Sequence, residues 1–283
     1  MNDILTDKLK NLRLAGFVKS ADMRIEQAIK ENMSFLEFLE MLVNDEVMNR
    51  TINGNAKRMH NAKFPQHKTI EEFNFSYQPS ITRQSIYNLG TCEFIRKKEN
   101  IALIGPTGTG KTHLAIAIGV KAVTQGYSVL FSTANDMMED LFMSRADNSF
   151  QQRVKKYIQV DLLILDELGL KKLNQQSVDD FYEIISKRYE NNSTVITSNK
   201  TFEEWGRILY DPVLASAILD RLVHHCNFVV IDGNADSYRM RERQGIVRTG
   251  KRGRPRKEDA IEEDNNDVLG TDRNTGGSIN GAI

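Results

Sequence analysis

The chain has 283 residues, of which 27% are charged and 40% hydrophobic, and its formal net charge is zero. That length and apolar content suffice to bury a core in one large domain or two small ones, and the balanced charge excludes a uniformly basic nucleic-acid binder, so any such role must rest on local patches. Cys92 and Cys226 form no C-x-x-C, which argues against a disulfide framework, and the adjacent His224, His225 and Cys226 are poorly spaced for zinc.

Residues 1–68 read as a helical N-terminal domain. Ile4, Leu5, Leu9, Leu12 and Leu14 recur near helical spacing up to Gly16, and a second helix is predicted over 17–30. Ser34 and Glu37 are spaced as a capping box that opens a third, whose apolar positions Phe35, Phe38, Leu39, Leu42 and Val43 continue through Val47 toward Met59. The far end of this segment is basic. Lys57, Arg58 and Lys63 there are candidate DNA contacts, with a solvated charged face as the plainer reading.

Residues 69–98 form a linker and lead-in helix. Phe64-Pro65, Phe73, Phe75, Tyr77 and Pro79 predict extended chain packed on the next domain, and 83–98 reads as a helix.

Residues 99–245 carry the chemistry. The apolar run 101–104 predicts a buried strand, and Gly105-Pro106-Thr107-Gly108-Thr109-Gly110-Lys111-Thr112 follows, before a helix starting at His113. This is G-x-x-x-x-G-K-[ST] in its strand–loop–helix context: glycines let backbone N–H groups turn to a polyphosphate, Lys111 reaches the β- and γ-phosphates, and Thr112 holds Mg²⁺. A second strand is expected over 128–132 and one helix over 135–157, whose second half bears Arg145, Arg153, Lys155 and Lys156. Leu162 to Leu165 then lead into Asp166-Glu167, a buried strand ending in two acids. Asp166 is placed to hold Mg²⁺ and Glu167 to act as general base on the attacking water. A helix over 177–189, a buried strand over 194–199 ending in Asn199, a helix capped by Thr201 and Glu204, a helix over 213–224 containing Asp220-Arg221, and a fifth strand over 228–232 complete the expected order. Asn199 is a candidate for orienting water or touching the γ-phosphate. Asn199-Lys200 begins like a guanine-reading N-K-x-D, but residue 202 is Phe, which removes the base-specific acid.

The tail over 246–283 is rich in Gly, Asn, Asp and Arg and reads as disordered. Within it, Lys251 to Lys257 resembles an AT-hook, in which Arg252, Arg254 and Arg256 would enter the narrow minor groove of A·T-rich DNA; a generic basic tail is the alternative. No apolar run reaches the ~18 residues of a membrane span and no signal peptide is apparent, so a cytoplasmic protein with no membrane partner is expected.

Taken together, Leu12-Arg13-Leu14-Ala15-Gly16, Ala62-Lys63-Phe64-Pro65, Phe73-Asn74-Phe75, the P-loop, 163–169 and Ile218-Leu219-Asp220-Arg221-Leu222 resemble AAA+ ATPases of the IstB/DnaC group, most of all the IstB-like helpers of insertion-sequence transposition, over residues 1 to about 245. The resemblance implies an α/β AAA+ P-loop NTPase: a five-stranded parallel sheet with strand one central, preceded by the small all-α domain. It implies ATP and Mg²⁺ as ligands, Asn199 as sensor 1, Arg221 as an arginine finger acting on a neighbouring subunit, and Arg239 in a sensor 2-like Ser-Tyr-Arg. It implies that the insert over 135–157 lines DNA. The partners it implies are double-stranded DNA, a transposase and further copies of the chain. A DnaC-like helicase loader is the alternative within the fold, and a small-molecule kinase or a protein holding ATP without hydrolysis the alternatives outside it.

Overall fold

The computed structural model describes residues 2–232 apart from 171, 172 and 210. Arg239, the basic motif with Arg252, Arg254 and Arg256, and the tail expected to be disordered lie outside the described residues.

Five parallel strands form one sheet: β1 (Asn100–Ile104), β2 (Val129–Thr133), β3 (Leu162–Asp166), β4 (Ser193–Ser198) and β5 (Cys226–Val230), in the order β2-β3-β4-β1-β5. The middle position therefore belongs to β4, not to strand one as expected; β1 lies between β4 and β5. β1 and β3 are buried along their whole length, which is why they read as unbroken apolar runs. Alternate residues of the strands face two separate cores. Ile101, Leu103, Ile164 and Val195 pack on one side with helix α6 (Lys111–Thr124). Leu163, Leu165 and Ile196 pack on the other with α7 (Ala134–Met143), α8 (Phe150–Gln159), α9 (Gln175–Arg188) and α11 (Pro212–Val223). Between β4 and α11 lies α10 (Phe202–Ile208), opened by the Thr201/Glu204 capping box.

Arg188 ties the second layer to the sheet. It is buried and donates to the carbonyls of Tyr157, Ile158 and Val160 at 2.8, 3.0 and 2.9 Å, and to that of Ser193, so a cation closes the C-terminal end of α8.

Three helices precede this core: α1 (Asp3–Asn11), α2 (Ala15–Glu31) and α3 (Phe35–Ala62), the last opened by the expected Ser34/Glu37 box. α2 has no side-chain cap of its own. Instead the carboxylate of Glu46, on α3, accepts from the Gly16 and Phe17 N–H groups at 2.6 and 3.4 Å. The helices approach so closely that a Cβ on Gly16 would stand 2.6 Å from the Glu46 Cα, which gives the Leu-Ala-Gly stretch a packing reason.

Two helix expectations fail. The segment 83–98 is not one helix but α4 (Arg83–Gly90) and the short α5 (Glu93–Arg96), divided at Cys92, whose φ of +60° no helix tolerates. The break lets Phe94 and Ile95 both turn into the core. Likewise 135–157 divides into α7 and α8, with Asn148 left-handed between them. Strand β5 also begins earlier than expected, at Cys226, because pairing Cys226 with Asn100 extends it past the apolar run.

Candidate active site

The P-loop connects β1 to α6 and lines a cleft of about 860 Å³ at the C-terminal ends of β1, β3 and β4, where open α/β sheets hold ligands. Gly110 has φ +93°, and a Cβ there would lie 2.6 Å from the Phe73 ring, so glycine is required for both conformation and space. No side chain caps α6, and the first-turn N–H groups of such a helix are a phosphate site. Lys111 is buried, and its ammonium donates to the Gly105 and Pro106 carbonyls at 2.7 and 2.6 Å, so the cation lies folded against the loop it serves.

The acids sit beside it. Thr112 Oγ1 donates to both carboxylate oxygens of Asp166, at 2.9 and 3.0 Å. Asp166 ends β3, is buried, and also accepts from Thr197 Oγ1 at 2.5 Å. The same Thr197 hydroxyl accepts from the Glu167 N–H at 2.9 Å, and the Thr197 carbonyl accepts from the Leu168 N–H at 2.9 Å. These bonds hold Glu167 at φ +60°, an uncommon conformation for a side chain of its size, and leave it exposed at the cleft wall. Asn199 follows β4 at the same wall. Its neighbour Ser198 is buried, donating to the Leu168 carbonyl at 2.7 Å and accepting from Lys200 N–H and Trp205 Nε1, each at 3.0 Å. Two buried hydroxyls thus join the end of the acidic strand to the end of β4.

The donor set fits a nucleoside triphosphate with Mg²⁺. A glycine loop, an uncapped helix start and a lysine offer donors to phosphate, while a threonine hydroxyl and a carboxylate in mutual contact offer hard oxygen ligands.

The cleft has a wall the sequence reading did not assign. The linker segment 65–78 contributes Gln66, Lys68, Phe73, Asn74, Tyr77 and Gln78. His113 fixes it: its Nε2 bonds the Thr69 carbonyl at 2.8 Å, its ring meets Phe73 edge-on at 5.4 Å, and burial holds its pKa below the ordinary imidazole value. The aromatic residues signalled a packed linker; nothing local showed that they pack on the P-loop. Thr197 was also missed, although a polar residue inside a buried strand was a readable signal.

The remaining candidates stand apart. Arg221 donates to the Ala217 carbonyl at 2.8 Å and lies over the Tyr182 ring at 5.2 Å, away from this chain's own cleft. Arg145 forms a two-pronged pair with the buried Asp180, at 3.0 and 2.5 Å, and stacks on Phe150. Arg153 and Lys156 both hold Asp140, at 3.3 and 3.1 Å. Arg145 thus meets a buried carboxylate, whereas Arg153 is exposed and Lys156 half-buried in their pairs with Asp140. Lys155, Lys57 and Lys63 are exposed, and Arg58 is half-buried beside Asn55.

A P-loop between β1 and α6, an acid pair ending β3 and a polar residue ending the adjoining β4 define an AAA+ P-loop NTPase. Solved structures share this fold: DnaI, with TM-score 0.51 and 22% identity over 58% of this chain and 90% of that one, and AMPPCP-bound DnaA from Aquifex aeolicus, with TM-score 0.50 and 21% identity over 65% and 56%. The family model for the IstB-like ATP binding protein matches residues 7–245. The chain is 38% identical to the ATP-binding protein of insertion sequence IS21 from Pseudomonas aeruginosa, covering 86% of this chain and 89% of that one. It is 39% identical to the corresponding protein of IS5376 from Geobacillus stearothermophilus, covering 86% and 96%. The chain belongs to the family of IstB-like ATP binding proteins, as the resemblance read from its motifs implied.

Proposed function

We propose that the protein is a DNA-binding ATPase of insertion-sequence transposition that uses ATP to oligomerise on target duplex DNA and to recruit or stimulate a transposase. The observation that carries this reading is the grouping of Lys111, Thr112, Asp166 and Glu167 at one cleft, in a chain whose relatives are named as insertion-sequence ATP-binding proteins. Those names favour transposition over helicase loading. ATP binds with its phosphates on residues 105–113 and its base toward the wall formed by the linker segment. Thr112 and Asp166 would hold Mg²⁺, which would supply charge neutralisation at the phosphates. Glu167 takes a proton from water; the water oxygen bonds the γ-phosphorus as the bond to the bridging oxygen breaks, giving ADP and inorganic phosphate. Asn199 orients that water. Arg221 of one copy completes the site of the next, which makes hydrolysis depend on assembly, and Arg239 adds a further contact to the nucleotide. Lys57, Arg58, Lys63 and Lys155, with the basic tail motif, provide phosphate contacts to DNA. Arg145, Arg153 and Lys156 shape α7 and α8, which present Lys155.

Light scattering with long duplex DNA and ATP tests the reading. Growth into large assemblies with ATP, lost with ADP and in Lys111→Ala, supports it. No growth beyond the nucleotide-free species would overturn it.

A further inference from the structure

The end of the sheet away from the P-loop carries a side-chain cluster outside the machinery of the cleft. Two helices of the same layer finish there: α9, which leads into β4, and α11, which leads into β5. Glu190 lies in the turn after α9, and His224 and His225 lie in the turn after α11. Among the described residues, this is the one group of three His, Cys, Asp or Glu side chains close enough to share an ion: one ligand atom from each lies within 4.8 Å of those of the other two. All three side chains are exposed. His225 Nε2 stands 4.0 Å from Glu190 Oε1, too far for a hydrogen bond. The His224 and His225 rings lie with centroids 4.0 Å apart, and the Tyr189 hydroxyl is hydrogen-bonded to His224 Nδ1 at 2.7 Å. Both turns are pinned at the backbone. The His225 carbonyl accepts from the Asn100 N–H at 2.6 Å, and the Arg188 carbonyl accepts from the N–H groups of Asn191 and Asn192 at 3.0 and 2.9 Å.

We propose that Glu190, His224 and His225 form a zinc-binding site that ties the end of α9 to the end of α11. Three observations point to a cation of this class. Two imidazoles and one carboxylate are a zinc donor set, with water completing the tetrahedron. Two ligands of one zinc ion stand roughly 3–4 Å apart, so the 4.0 Å gap between His225 and Glu190 fits an ion held by both, and His224 joins them through small rotations that exposed side chains make freely. Finally, α9 and α11 both present their C-terminal ends, the negative ends of their dipoles, to the cluster, which favours positive charge there. Imidazole suits zinc and not Mg²⁺, so this site and the oxygen pair of Thr112 and Asp166 select different ions. Cys226, next along the chain, takes no part: burial pushes its thiol up to about 12, which keeps it protonated. Adjacent histidines alone are poorly spaced for zinc; here the fold brings the third ligand from a turn distant in sequence. The site needs neither ATP nor DNA and holds whether or not the transposition reading does.

The test is calorimetric titration of the full, untagged chain with Zn²⁺, after stripping with EDTA and with millimolar Mg²⁺ present to fill the oxygen site. Wild type is expected to bind one zinc ion per chain with micromolar affinity. Glu190→Gln, and separately His224→Gln with His225→Gln, should each weaken that binding by about tenfold or more. Because these side chains are exposed, melting in EDTA should match wild type, whereas added Zn²⁺ should raise the melting temperature of wild type alone. His60→Gln with His67→Gln, exposed histidines elsewhere, should leave zinc affinity unchanged. Should the paired histidine variant cost the fold, Glu190→Gln alone reads the same question. Wild type without micromolar zinc binding, variants that bind as tightly as wild type, or an equal loss on changing His60 and His67 would each overturn the proposal.

Discussion

The P-loop end of the sheet and the N-terminal hairpin are both organised around a carboxylate, and they differ in what surrounds it. Asp166 lies in a dry setting: β3 is buried along its length, and hydroxyls from Thr112 and Thr197 reach the acid. Glu46 and Asp45 lie in a thin layer where Ala21 and Leu42 are the buried apolar residues, and where backbone N–H groups and arginines are the partners. In the first region the apolar core supplies stability and the polar atoms are free to serve chemistry. In the second the polar links themselves hold the helices together, because little apolar surface is buried between them. Stability and function should therefore separate under mutation in the sheet and coincide in the hairpin.

The largest separation is expected at Glu167. Its side chain is exposed and its conformation is held by backbone bonds to Thr197, so Glu167→Gln should leave the melting temperature unchanged while lowering ATP hydrolysis by about 10²–10⁴-fold, the usual worth of a general base. Nucleotide affinity should persist. Phosphate release and thermal melting check both; unchanged turnover would assign the protein to ATP binding without hydrolysis. Thr197→Val is expected to blur the separation. It strips a partner from both Asp166 and the Glu167 N–H, costing about 1–3 kcal/mol of stability and, by letting the base drift, roughly 10–100-fold in kcat. KM for ATP should stay within about threefold, and Thr197→Ser should restore turnover. A change in KM alone would mean that Thr197 supports the cleft rather than the acid pair.

The same contrast explains what could be read from the chain. Local features were legible: the Ser34/Glu37 and Thr201/Glu204 capping boxes, the P-loop, and the apolar run ending in Asp166-Glu167 all depend on neighbours within a few residues and stand as expected. Features set by distant partners were not. The break at Cys92 exists because Phe94 and Ile95 both find the core, and Cys226 joins β5 because Asn100 lies opposite it. The strand order, the linker's place over the P-loop and the commitment of Arg145 to Asp180 are decided by packing between segments far apart in sequence. Positive charge in the sequence gave candidates for DNA contact, but only the fold showed which of them pair with carboxylates of α7 and α9, as Arg145, Arg153 and Lys156 do.

Acid should act on the hairpin through the same links. The Arg24 guanidinium, hydrogen-bonded to Asp45, holds its carboxyl down at about 2, against an ordinary value of 3.8; Glu46 is held low too, first by Arg50 and further by the Gly16 and Phe17 N–H groups. A carboxyl whose pKa is lower folded than unfolded binds fewer protons in the native state, so its contribution is fully present above the unfolded value and lost as the pH falls through the folded one. For Asp45 that window runs from about 4 down to about 2. Solvent near the pair limits the effect to on the order of 1 kcal/mol. Protease cleavage in the 32–34 turn, compared between pH 5 and pH 2.5 in brief exposures, should rise with acid in wild type. In Arg24→Ala it should already be raised at pH 5 and depend less on pH. Equal acid dependence in the two proteins would mean that the hairpin does not rely on this ion pair, and the contrast between a region held by its core and one held by its charges would fail at its weaker end.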